Sequence, residues 1–77
     1  MAEDVLVAHY ATRGGRYEIK AYQRRNSHGV YYSVESYTKG RADGACTGLS
    51  VQELGIELAR KIFFAKRCDG INYQPVV

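Results

Sequence analysis

Two stretches of this chain read as strands, Tyr17 to Arg24 by its alternation and Val30 to Thr38 by its β-branched and aromatic residues, and the polar segment Arg25-Asn26-Ser27-His28-Gly29 joins them. A period of two is the signature of a β-strand with one face toward a core, and polar turn residues between two such runs predict a hairpin. In the first run Tyr17, Ile19 and Ala21 fall on one side, opposite Glu18, Lys20, Tyr22 and Arg24. In the second, Val30, Tyr32, Val34 and Ser36 lie opposite Tyr31, Ser33, Glu35 and Tyr37. The first set of each run is expected to meet the core and the second to face water.

Upstream, Glu3 to Ala11 also reads as a strand, with Val5, Val7 and His9 on one face and Leu6, Ala8 and Tyr10 on the other. Arg13-Gly14-Gly15-Arg16 follows, a turn signal, because glycine takes the positive φ angles of a tight hairpin. Downstream, Lys39-Gly40 turns the chain again. Arg41 to Gly48 is either a short edge strand or an extended loop, since Asp43, Gly44 and Gly48 disfavour regular pairing. Ser50 with Glu53 forms a capping box, which fixes a helix start. On a 3.6-residue period Val51, Leu54, Gly55, Leu58, Ile62 and Ala65 share one stripe, flanked by Ala59 and Phe63. Glu53 and Glu57 sit early and Lys66 and Arg67 late, which suits the helix dipole, and Glu57 is spaced to pair with Lys61. Gly70 is a left-handed cap, and Pro75 limits Ile71 to Val77 to an edge strand or a tail.

These segments predict an α+β fold: an antiparallel β-meander of three to four strands (about 4–11, 16–24, 30–38 and, as the weaker member, 41–47) with one C-terminal amphipathic helix (51–68) on one face and a short last strand within 71–75. At 77 residues the chain has room for one domain, 1–77. A core this small has little stability to set against a strained catalytic site, so binding is expected rather than catalysis. The apolar runs are far too short to span a bilayer, and the acidic start lacks an export pattern, so a cytoplasmic protein without membrane contact is expected. Cys46 and Cys68 have no paired spacing and suit free thiols, although one bridge between them is compatible with the sequence.

Eleven Lys and Arg stand against eight Asp and Glu, a net charge of +3, and the surplus is concentrated in the sheet half. Lys20, Tyr22 and Arg24 are predicted to lie beside Tyr31, Ser33 and Tyr37 on the outer face, with Arg25 close by. Cations interleaved with flat rings suit single-stranded nucleic acid, the cations following phosphates and the rings stacking on bases. Arg13, Arg16 and Arg41 extend the basic set, and the glycine pair between the first two offers backbone N–H groups to a phosphate or carboxylate. On the exposed side of the helix Phe64, Arg60 and Arg67 form a second candidate surface, for a partner protein or a second copy in a homodimer.

Other chemistries find no pattern. His9, His28, Cys46 and Cys68 are the right types for zinc but are not spaced as ligands, so neither metal nor cofactor is expected. No nucleophile motif surrounds Cys46, Cys68, Ser33 or Ser50, and Glu18 and Glu35, if cross-strand neighbours, would be kept ionised by nearby cations.

As architecture, a meander followed by one helix resembles the single-stranded DNA-binding transcriptional cofactors of the Pur and positive-cofactor type. The resemblance is one of topology, without signature residues, and implies a nucleic-acid-associated role. Two functions follow as expectations. The first is a small non-enzymatic module acting on nucleic acid or a nucleoprotein complex through a basic, tyrosine-bearing sheet face. The alternative is an inhibitor or adaptor encoded by a phage or mobile element that blocks a host protein complex, as anti-CRISPR proteins do.

Overall fold

A computed structural model describes residues 4–76. The chain runs β1 (Val5–Ala11), β2 (Tyr17–Asn26), β3 (Gly29–Thr38), β4 (Arg41–Leu49), α1 (Val51–Asp69) and β5 (Gln74–Pro75). All five strands form one antiparallel sheet in the order β4-β3-β2-β1-β5, so the meander is complete and the C-terminal segment adds a short strand beyond β1. The stretch 41–49 is a full strand despite its glycines, and it forms one edge of the sheet.

The hairpin between β2 and β3 is tighter than its polar sequence implies. Pairing continues to Asn26 opposite Gly29, which leaves a two-residue turn of Ser27 and His28. Asn26 Oδ1 accepts the His28 N–H at 2.8 Å, an Asx turn that stands in for a backbone bond. The β3–β4 turn is also two residues long, and both of its members, Lys39 at φ 53° and Gly40 at φ 79°, have positive φ. That geometry matches the twist of the flanking strands and favours glycine, so Lys39 holds a conformation costing roughly 1–2 kcal/mol for an L-residue.

The alternation expected for β1 does not hold along its whole length. Leu6 pairs with Tyr22 and Ala8 with Ala21, so Val7 is an extra residue in a β-bulge. The bulge moves His9 to the outer face beside Lys20, while Ala8 and Tyr10 pack on the core, and Val5, Leu6 and Val7 are all largely exposed.

Ile19, Ala21, Val34, Leu49 and Leu54 form the buried core, and Tyr10, Tyr32, Cys46, Leu58, Ile62 and Tyr73 pack around it. The helix begins with the expected capping box: Ser50 Oγ accepts the Glu53 N–H at 3.2 Å, and Glu53 Oε1 accepts the Ser50 N–H at 3.0 Å. It ends at Gly70 in the left-handed conformation, φ 66°. The apolar stripe is only partly used. Leu54 is buried and Leu58, Ile62 and Ala65 are half-buried, while Val51, Gly55, Ala59 and Phe63 are exposed. Glu57 and Lys61 form no ion pair among the described residues. The helix is therefore held at its N-terminal half and stands off the sheet toward its C-terminal end. A groove of about 730 Å³ opens there, with Phe64, Ala65 and Cys68 on one side and Tyr17, Ile19 and Ser36 on the other.

Candidate nucleic-acid interface

The meander divides the predicted basic set into two groups. In an antiparallel run of hairpins the first and third turns meet at the same end of the sheet. Here the Lys39 N–H donates to the Arg16 carbonyl at 2.7 Å and ties the two turns together. The β1–β2 turn is closed by Gly15 N–H to Thr12 O at 2.8 Å and Thr12 N–H to Tyr17 O at 3.0 Å, with Gly14 and Gly15 both at positive φ. Arg13, Arg16, Lys39 and Arg41 therefore come together at one end of the molecule. All four are exposed, and none has an acidic partner among the described residues. Arg16, Lys39 and Arg41 line one concavity of about 470 Å³ with Thr38, Ala42 and Asp43. The carboxylate of Asp43 accepts the Thr38 hydroxyl at 3.0 Å. The Arg16 guanidinium lies over the ring of Tyr17, 5.6 Å from its centre.

The second group lies on the outer face of the sheet, on the side away from the helix. Pairing of Lys20 with Glu35, Tyr22 with Ser33 and Arg24 with Tyr31 places them there, opposite to buried Ile19, Ala21 and Val34. This face is internally neutralised. Arg24 Nη2 donates to Glu35 Oε2 at 2.9 Å, and its Nε lies 3.5 Å from Asp4 Oδ2, an ion-pair distance without a hydrogen bond. The Arg24 guanidinium also covers the Tyr22 ring at 5.2 Å, and the Lys20 ammonium covers the Tyr37 ring at 5.1 Å. His9 Nε2 meets Glu18 Oε1 at 2.9 Å. Lys20 and Arg24 thus stand against Glu18, Glu35 and Asp4, so, Arg25 apart, the uncompensated positive charge of the sheet half among the described residues lies at the end where the first and third turns meet.

Tyr37 joins the two groups, because it lies on the outer face and two residues before Lys39. Its hydroxyl donates to Glu35 Oε1. That bond, then burial, then the charge of Glu35 push its pKa up to about 12. Burial also raises the pKa of Tyr73, on the helix side of the sheet.

Arg25 lies apart from both groups, at the opposite end of the sheet beside the β2–β3 turn. Phe64 and Arg60 line the groove under the helix, whereas Arg67 stacks on Phe63 at 5.9 Å, so the second predicted surface is split between two flanks. Lys39 is the cation that sequence reasoning missed. The signal was its position: a residue in the third turn of a meander shares an end with the first.

Cys46 and Cys68 are both free thiols, and among the described residues no group of three or more His, Cys, Asp or Glu gathers that would hold a metal ion. No helix of the described residues is long and apolar enough to cross a membrane. Compared with family models, curated proteins and solved structures, the chain matches none.

Proposed function

We propose that the protein is a non-enzymatic binding module for single-stranded nucleic acid, free or within a nucleoprotein complex. The phosphates would sit at the turn end and the bases along the tyrosine-bearing outer face. One observation carries this reading: four exposed cations without acidic partners among the described residues, Arg13, Arg16, Lys39 and Arg41, meet at one end of the sheet through a backbone hydrogen bond between their turns. Like charges gathered on rigid turns repel one another, and a bound polyanion relieves that repulsion. The left-handed backbone of Lys39 adds to the argument, because strain retained in a charged residue where glycine or asparagine would be easier belongs with function. A single strand fits better than a duplex, since Tyr31, and Tyr22 and Tyr37 once Arg24 and Lys20 move off their rings, can stack only on bases that are not paired in a helix.

The test is fluorescence anisotropy with a labelled oligonucleotide of about 12 nucleotides, single- and double-stranded. Binding at about 50 mM salt should fall with a log–log slope of about −0.7 per engaged cation on the single strand, and so close to −3 if all four contribute. No change in anisotropy at that salt concentration removes this reading.

A protein target is the second reading, favoured by Phe64, which is 51% exposed at the mouth of the groove beside Arg60. Large apolar side chains next to arginine are common anchors in protein interfaces. Under this reading Phe64→Ala abolishes inhibition of a host complex and leaves oligonucleotide binding unchanged.

A further inference from the structure

Helix α1 is apolar over a wider arc than the sheet covers. Beside the stripe that meets the core runs a second row, the polar Gln52 followed by Ile56, Ala59 and Phe63, with steps of four, three and four residues. This is the alternating spacing of a seam between two packed helices. All four residues are exposed, Ile56 at 64% and Phe63 at 55%, and none lines the groove, which opens on the other flank.

The charges on the helix specify the occupant and its direction. Of its three acids Glu53 and Glu57 lie in the N-terminal half, Arg60, Lys61, Lys66 and Arg67 follow, and Asp69 is the last helical residue. A second copy laid antiparallel sets Glu53 of each chain against a cation of the other and only the two Arg60 side chains like against like, whereas a parallel copy sets like against like. With a two-fold axis beside Ala59, the small side chain allows close approach at the centre. Ile56 then meets Phe63 of the second copy, and Glu53 comes level with its Arg67. We propose that two copies of this chain dimerise by antiparallel packing of the Gln52, Ile56, Ala59 and Phe63 seams of α1.

The experiment is sedimentation equilibrium of the full chain from about 1 μM to 1 mM. The expected mass rises to twice 8.6 kDa with concentration. Ile56→Glu and Phe63→Glu, both at exposed positions, should each weaken association about tenfold or more while the circular dichroism spectrum stays native. Ala45→Lys, on the exposed edge of β4, should leave the dimer intact. For direction, Ala59→Cys in a Cys46→Ala, Cys68→Ser background should cross-link on oxidation. Gln52→Cys in the same background should not, because the two copies of that residue would lie about 20 Å apart. A chain that stays monomeric throughout overturns the proposal. So does a dimer dissolved by Ala45→Lys but not by Ile56→Glu, or one that cross-links through Gln52→Cys as readily as through Ala59→Cys.

Discussion

Arg24 and Tyr37 hold opposite oxygens of one carboxylate: Arg24 Nη2 donates to Glu35 Oε2 at 2.9 Å, and the Tyr37 hydroxyl donates to Oε1. Glu35 therefore fixes both a cation and a ring of the outer face. A bidentate acceptor occupied on both sides orders its donors more than either bond would alone.

The titration of Tyr37 follows from that arrangement. Its folded pKa of about 12 exceeds the ordinary value of 10.0, so the neutral phenol is favoured in the folded state. The associated stability is full below pH 10.0 and is lost as pH rises through about 12. An absorbance titration of phenolate should show a late step that Tyr37→Phe removes. The same substitution should flatten the alkaline loss of stability and cost about 1 kcal/mol near neutral pH.

The turn end sets stability against binding. Lys39→Asn should stabilise the protein by about 0.5–1 kcal/mol, because asparagine tolerates positive φ in a two-residue hairpin turn. It should also weaken oligonucleotide binding and make the salt slope shallower by about 0.7. Arg16→Ala and Arg41→Ala should weaken binding in the same way and change stability by less than about 0.5 kcal/mol, since both side chains are exposed. Chemical denaturation and anisotropy on the same samples separate the two effects.

Ile19 is 1% exposed at the centre of a core with five buried apolar side chains. Ile19→Val should cost about 1 kcal/mol and Ile19→Ala about 2–5 kcal/mol. Against a total of roughly 4–12 kcal/mol for a chain of this length, the alanine variant should show a sharply lowered urea midpoint.

The capping box has its own pH dependence. The Ser50 backbone N–H, then the Ser50 side chain, hold the Glu53 carboxyl below its ordinary 4.5. A depressed carboxyl contributes stability that is full above 4.5 and is lost as pH falls through the lower folded value. Ser50→Ala should lower stability by about 1 kcal/mol at neutral pH and reduce this acid-side decline in helix signal.

Much of the fold was legible because two local signals are strong. The alternation of Tyr17 to Arg24 and Val30 to Thr38 placed Ile19, Ala21 and Val34 inside and Lys20, Tyr22, Arg24 and Tyr37 outside, but it also put Ser33 toward water and Val30 toward the core, whereas Ser33 is buried in a hydrogen bond with Thr47 and Val30 is exposed. Ser50, Glu53 and Gly70 marked both helix ends. Position 7 was misread because a bulge leaves no trace in apolar character when every neighbour is apolar. The stripe from Val51 to Phe63 was overcounted because periodicity gives an apolar arc but not how much of it a four-stranded meander can cover. For the candidate site, residue types were legible and charge pairing was not. Whether Arg24 is free depends on its long side chain reaching along β3 to Glu35, which lies opposite Lys20 and not opposite Arg24. The turn-end cluster needed the topology that joins Arg16 to Lys39.

The bulge in β1 makes the length of that strand negotiable at one place. With two residues spanning one position of the partner, removal of Val7 would leave Leu6 opposite Tyr22 and Ala8 opposite Ala21 as they are. Loss of His9 would instead push every later β1 residue onto the wrong side of the sheet. Among chains descended from a common ancestor with this one, single-residue gaps should collect beside Leu6 and avoid the segment from Ala8 to Ala11.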